Sequence, residues 1–303
     1  MPVKANLPLI PHGERPKILF LGNGINQLFG GKSWNDIISG FAREFNAEYG
    51  EKVYKSMPAA MQIIAATQGH VHTGMNALGI ELQKLPVIEE QRSFLQEVLA
   101  LPFEQILTTN YTFEIEETLA PGWNRNKYNK NIYCSVDEIN STNDLMLHSF
   151  CQMKEKYIWH IHGHAYKPSL IIMGQYYYGK LISQMQSYSG KLMKRYKASL
   201  AAGNAYRPLS WLDYFLIGDV YMLGFGMDLS EMDIWWLACC KQRNIPESRI
   251  HFFTRALPEE KRVLMEAYGI ERHVIPTEEY GHFYREAIKE IGRLLSETEP
   301  GKL

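Results

Sequence analysis

The sequence predicts an α/β fold: a mostly parallel sheet with helices on both faces and helical insertions. Three observations carry this expectation. Short apolar runs alternate with helical patterns along the chain. The runs are apolar throughout, as strands covered on both faces are. Several of them end in Gly, Asn or His, which marks the strand ends as the place to look for ligand chemistry.

Lys17 to Leu21 (KILFL) reads as a buried strand running into Gly22-Asn23-Gly24. Ser33 is placed to cap a helix whose stripe is Trp34, Ile37, Ile38, Phe41 and Phe45. Glu51 to Ala100 reads as helical, with Pro58 and Pro86 as breakers. Phe103 to Thr109 is the second strand, followed by a helix over Phe113 to Leu119 and a loop over Pro121 to Asn131. Tyr157 to His162 (YIWHIH) is the third strand, and Leu170 to Met173 is an apolar run ending at Gly174. Tyr176 to about Leu200 is helical, and its basic run Gly190 to Lys197 reads as a solvated face. Asp219 to Leu223 is a strand, Ser230 to Lys241 a helix and Arg249 to Thr254 a strand. Lys261 to Tyr268 is a helix, His273 to Ile275 a last short strand and Tyr284 to Leu295 a closing helix, with a frayed tail after Thr298. The expected organisation is one domain over 1–303, with helical insertions at about 50–100 and 176–215.

Hydrophobic residues make up 46% of the 303 residues and charged residues 21%, the balance of a soluble globular chain. Thirty-two Lys and Arg against 33 Asp and Glu leave a net charge of -1. That excludes a basic nucleic-acid-coating protein and an acidic disordered tail, so direct nucleic-acid binding is not expected. The cysteines, Cys134, Cys151, Cys239 and Cys240, form no C-x-x-C pair, so a structural zinc ribbon is not expected. The N-terminal MPVKANLPLIPHGERPK has no signal-peptide core, and no apolar run is long enough to span a bilayer. A reduced, cytoplasmic location without membrane attachment is expected.

Four strand ends carry the chemistry. Gly22 to Asn26 (GNGIN) is either a tight turn or a phosphate cradle. Its G-x-G-x-x-G pattern is broken at Gln27. Thr108-Thr109-Asn110-Tyr111 presents a carboxamide that either caps a helix or holds a ribose hydroxyl or an attacking water. In His160-Ile161-His162-Gly163-His164 the histidines alternate, so an extended chain would face all three one way. That suits a general base or metal ligation, with His160 and His164 read as ordinary hydrogen-bonded residues. Gly224-Phe225-Gly226-Met227-Asp228 opens a helix that Asp228, Ser230 or Asp233 could cap. His251 and His273 receive no role.

In order and spacing, these four turns resemble the sirtuin superfamily, and specifically its prokaryotic NAD-cleaving branch, over about residues 17 to 290. Gly22 to Asn26 is similar to the family's Gly-Ala-Gly-x-Ser turn. Leu107 to Tyr111 is similar to its Thr-x-Asn strand end, Ile161-His162-Gly163 to its Leu-His-Gly element, and Leu223 to Met227 with Asp233 to its late Gly-aromatic-Ser turn. Asn26 and Gly226 replace serines, and Thr112 stands where the family has an acidic residue. The four cysteines cannot build the deacylase zinc module.

The resemblance implies a Rossmann-like NAD-binding domain that hydrolyses NAD to nicotinamide and ADP-ribose, without a metal, as an NAD-depleting effector in antiviral defence. It implies His162 as general base and Asn110 as the residue positioning water and ribose. It implies Gly22, Asn23, Gly24 and Asn26 at the pyrophosphate, Thr109 among the cofactor-binding residues, and Gly224, Gly226 and Met227 along the adenosine, with Asp228 and Asp233 as ribose or capping residues. The implied partners are NAD and either further copies of the chain or a separate sensor or effector protein. Two alternatives stay open: a module that binds NAD or ADP-ribose without turnover, and a metal-dependent hydrolase using His160, His162 and His164.

Overall fold

A computed structural model describes residues 2–47, 49–123, 132–139 and 141–297 of the chain. Its strands are β1 (Val3–Lys4), β2 (Lys17–Leu21), β3 (Gln105–Thr108), β4 (Ile132–Cys134), β5 (Ser149–Met153), β6 (Lys156–His160), β7 (Asp219–Leu223), β8 (Ile250–Thr254) and β9 (Ile270–Val274). Between β2 and β3 lie α1 (Gly24–Leu28), α2 (Trp34–Glu44), α3 (Glu51–Lys55), α4 (Ala59–Ala66), α5 (Val71–Leu82) and α6 (Glu89–Leu99). α7 (Glu114–Leu119) follows β3, and α8 (Thr142–His148) precedes β5. α9 (Gln175–Ala201) and α10 (Trp211–Ile217) separate β6 from β7. α11 (Met232–Asn244), α12 (Glu259–Ala267) and α13 (Tyr280–Glu297) are the last α-helices among the described residues.

The strands form one 9-stranded sheet in the order β1-β4-β5-β6-β3-β2-β7-β8-β9. From β6 to β9 every pairing is parallel, while β4, β5 and β6 pair antiparallel. Numbered by themselves, the parallel strands run 3-2-1-4-5-6, the Rossmann order. Its direction of winding reverses between β2 and β7, the place where such folds bind ligands.

The continuous apolar strands are explained by two cores. Ile18, Phe20, Val220 and Met222 point into a layer with α9, α10 and α11. Leu19, Leu21, Tyr221 and Leu223 point the opposite way, toward α6 and α13. Full burial of each such side chain contributes about 1.5–3 kcal/mol. A third cluster joins Ile38, Ile63, Met75 and Leu78 of α2, α4 and α5 to Ile171 and Met173. Ser33 caps α2 as expected: its Oγ accepts from Asp36 N at 3.2 Å, and the Asp36 carboxylate accepts from Ser33 N at 2.8 Å.

Several expectations need correction. The third strand ends at His160, because Gly163 adopts a positive φ of 78° and donates its N–H back to His160 O at 3.0 Å. The segment expected as an insertion at 176–215 instead covers the sheet, since α9 and α10 belong to one of its two cores. The last strand begins at Ile270, earlier than His273. β1, β4 and β5 were not anticipated. Residues 124–131 of the expected loop and the tail after Thr298 lie outside the described residues.

Candidate functional site

A cavity of about 990 Å³ is lined by residues just past the carboxyl ends of β6, β3, β2, β7 and β8. That volume is at the top of the range for small-molecule sites, about 300–1,000 Å³. The strand register places the two central residues. Thr108 lies opposite His160 on neighbouring parallel strands, and Ile161 N donates to Thr108 O at 2.9 Å. Asn110 and His162, each two residues further on, therefore leave the sheet side by side.

His162 is buried, and its Nε2 lies 2.7 Å from Oδ2 of the equally buried Asp233. Its Nδ1 has no hydrogen-bond partner among the described residues, and the residue lines the cavity. Burial pulls the imidazole pKa down, but the Asp233 charge and hydrogen bond, with a contribution from Glu231, outweigh it and the net shift is upward. Glu231, also on the cavity wall, accepts from Tyr178 Oη at 3.3 Å. Burial pushes its carboxyl up to about 7. Ligand atoms of His162, Glu231 and Asp233 all lie within 4.8 Å of one another.

Asn110 is fixed from below and from the side. The Thr108 hydroxyl donates to Leu21 O at 2.9 Å and accepts Asn110 N–H at 3.0 Å. Asn110 Nδ2 donates to Glu114 Oε1 at 2.7 Å, and Asn26 Nδ2 donates to the same oxygen at 2.9 Å. Gln91 Nε2 in turn donates to Asn26 Oδ1 at 2.9 Å. Two buried acceptors of this network, Asn110 Oδ1 and Glu114 Oε2, have no partner among the described residues. Orphaned buried acceptors are rare and costly, which makes them candidates for a bound donor.

The three histidines do not converge, so the metal triad of His160, His162 and His164 is not assembled. The turn at Gly163 carries His162 toward Asp233, while the His160 and His164 rings stay neighbours with centroids 5.8 Å apart. His160 reaches Asn110 O at 2.8 Å through Nδ1 and Glu116 Oε1 at 3.0 Å through Nε2. Both ring nitrogens face acceptors, so the ring satisfies both only as an imidazolium. Burial opposes that charge, but Glu116 outweighs it and raises the pKa. His164 is buried and held well below its usual value by burial and by His160.

Of the other expected site residues, Asn23, Gly24, Asn26, Thr109, Gly224 and Gly226 line the cavity. Gly22 does not. A Cβ on Gly22 would lie less than 3.0 Å from the Gly224 backbone, so these glycines let the turns after β2 and β7 pack on each other. Met227 is wholly buried in the sheet's core with φ 46°, which removes it from the expected adenosine contacts. Asp228 does not line the cavity; its carboxylate accepts from Ser230 N at 2.9 Å. Neither it nor Ser230 nor Asp233 caps α11, whose start makes no side-chain capping bond. Asp233 holds His162 instead.

Sequence reasoning did not single out Glu114, Glu231, Gln91 or Arg255. Arg255 lines the cavity beyond β8, its guanidinium 3.5 Å from the Tyr280 ring centroid and donating to Glu278 O at 2.6 Å. The four-residue step from Asn110 to Glu114 was the available signal. No protein-family model matches this chain, and no curated protein matches it.

Proposed function

We propose that the protein is a sirtuin-like NAD glycohydrolase that cleaves NAD to nicotinamide and ADP-ribose. The supporting observation is the meeting, in one cavity at the sheet's reversal point, of an Asp-held imidazole with the unpaired acceptors of Asn110 and Glu114.

The nicotinamide ring of NAD is cationic, and as its C–N glycosidic bond breaks the positive charge moves to the ribose carbon. The bonding pair leaves with nicotinamide, which departs neutral. Glu114 and, in its ionised form, Glu231 on the cavity wall give that charge a favourable field. The Asn110 carbonyl oxygen accepts from the attacking water or a ribose hydroxyl and orients it. Water forms the new C–O bond, and His162 takes its proton at the nitrogen that Asp233 leaves open. Asp233 keeps the ring in one tautomer and stabilises the imidazolium that results. Arg255 and Lys32, both on the cavity wall, supply positive charge for the pyrophosphate. The biological setting implied by the resemblance is NAD depletion in antiviral defence, governed by assembly with further copies or with a second protein.

The test is incubation of NAD with the purified protein over a range of concentrations, with nicotinamide and ADP-ribose resolved by chromatography. Nicotinamide release that depends on His162 and Asn110 is the expected result. Tight NAD binding in a calorimeter without nicotinamide release at any concentration would replace the enzyme with a binding module.

A further inference from the structure

We propose that His251, Glu271 and His273 form a binding site for a single divalent transition-metal ion of the zinc type, at the edge of the sheet and apart from the catalytic histidine. The sequence places these residues on the two outermost parallel strands. His251 of β8 is the register partner of Glu271 of β9, and His273 follows two residues later on the same face. His251 Nδ1 and His273 Nε2 face each other at 3.1 Å. Glu271 brings one oxygen to 3.5 Å from the first and the other to 3.9 Å from the second. The three ligand atoms lie within 4.8 Å of one another. Ligands on tetrahedral zinc, with bonds of about 2.0–2.1 Å, are separated by about 3.3 Å. The three side chains thus already hold one face of such a polyhedron with small adjustments, and the half-exposed Glu271 leaves the ion a route in.

The rings are held in place. His251 stacks on Tyr221 with centroids 4.5 Å apart and planes at 21°, and His273 stacks on Phe253 at 4.6 Å and 15°. At 3.1 Å the facing nitrogens share at most one hydrogen. Moving that hydrogen to the far nitrogen of its own ring frees both lone pairs for a metal. On His273 the far nitrogen, Nδ1, lies 3.8 Å from Glu290 Oε1 of α13. Glu290 is held there by Arg293 at 2.6 and 2.8 Å, and a shift of about 1 Å would bring it into hydrogen-bond reach, where a carboxylate is the usual outer partner of a metal-bound imidazole. Two neutral imidazoles and one carboxylate give a donor set of charge -1, suited to a dication. The ion would tie the edge strand β9 to β8. Because Phe253 also lines the cavity, it would stiffen one cavity wall as well.

The experiment uses the full chain, stripped with a chelator and titrated with Zn²⁺ in a calorimeter and with Co²⁺ in a spectrophotometer. One equivalent of each ion is expected, with the visible absorption of low-coordinate Co²⁺ and a melting temperature that climbs with Zn²⁺. Glu271→Gln and His273→Gln, each checked for fold by circular dichroism, should weaken binding by more than the roughly 10–100-fold cost of losing an outer partner. Glu290→Gln should fall within that range. His162→Ala should keep the full equivalent, which separates this site from the one at His162. Wild-type protein without a one-equivalent binding step, or Glu271→Gln and His273→Gln binding as tightly as wild type, would overturn the site and leave only an imidazole–imidazole hydrogen bond.

Discussion

His162 and Asp233 are both buried and 2.7 Å apart, so the charge on one sets the basicity of the other. A base whose pKa is raised loses its proton only at higher pH. Nicotinamide release should therefore climb with pH through a midpoint above the ordinary histidine value of 6.5. In Asp233→Asn the upward push is removed while burial remains, so the midpoint should move to lower pH. The plateau rate should also fall, by about 10²–10⁴ as for other general bases that lose their function. A pH–rate profile of the two proteins reads both effects. Glu114 anchors two amides with one oxygen, and Glu114→Ala leaves Asn26 Nδ2 only Asn23 Oδ1 at 3.1 Å and Asn110 Nδ2 only Gly22 O at 3.5 Å. A loss of about 1–3 kcal/mol is expected in urea unfolding, as for a buried hydrogen bond broken from one side. Glu114→Gln should cost less, because a carbonyl oxygen remains. Asn110 and His162 stood out in the sequence because each lies just past an apolar strand. Glu114 was not, since an acidic residue in the first turn of a helix has an ordinary electrostatic reason to be there.

At the scale of elements, the turn after β6 parts His162 from His160 and His164 and presents it to the cavity. It depends on Gly163, where a Cβ would strike the Leu170 backbone and where φ is 78°. Gly163→Ala should destabilise the fold by at least about 1–3 kcal/mol, measured as a lower urea midpoint. An unchanged midpoint would mean that the turn is not as described. The central strands were legible almost to the residue, because Lys17–Leu21 and Asp219–Leu223 are apolar runs bounded by glycine. The antiparallel flank was not, because the three residues of β4 and the Ser and Gln of β5 give no periodic signal. Nor was α10, whose residues are all buried and so show no polar face. The basic run of α9 read as solvated, yet its Arg195 pairs with the buried Asp213 at 3.0 Å and with Tyr188 and Tyr206.

Across the whole molecule, the strand order decides where the site must be. Each parallel strand delivers its following turn to one end of the sheet, and the reversal between β2 and β7 opens the crevice that the cavity occupies. Alternating strands and helices made that architecture readable, but the third cluster of α2, α4 and α5 over the strand ends required tertiary packing that no local pattern encodes. A ligand gripped by turns from five strands should stabilise the whole fold. NAD at a hundredfold excess over its Kd should add about 2.7 kcal/mol, visible as a higher melting temperature in His162→Ala, where cleavage does not deplete it. The most direct test of the central claim is the initial rate of nicotinamide release from NAD by wild type and by His162→Ala in one assay. Wild type should release nicotinamide, and the variant should do so at least about 10²-fold more slowly. Equal rates, or no release by wild type at any protein concentration, would contradict it.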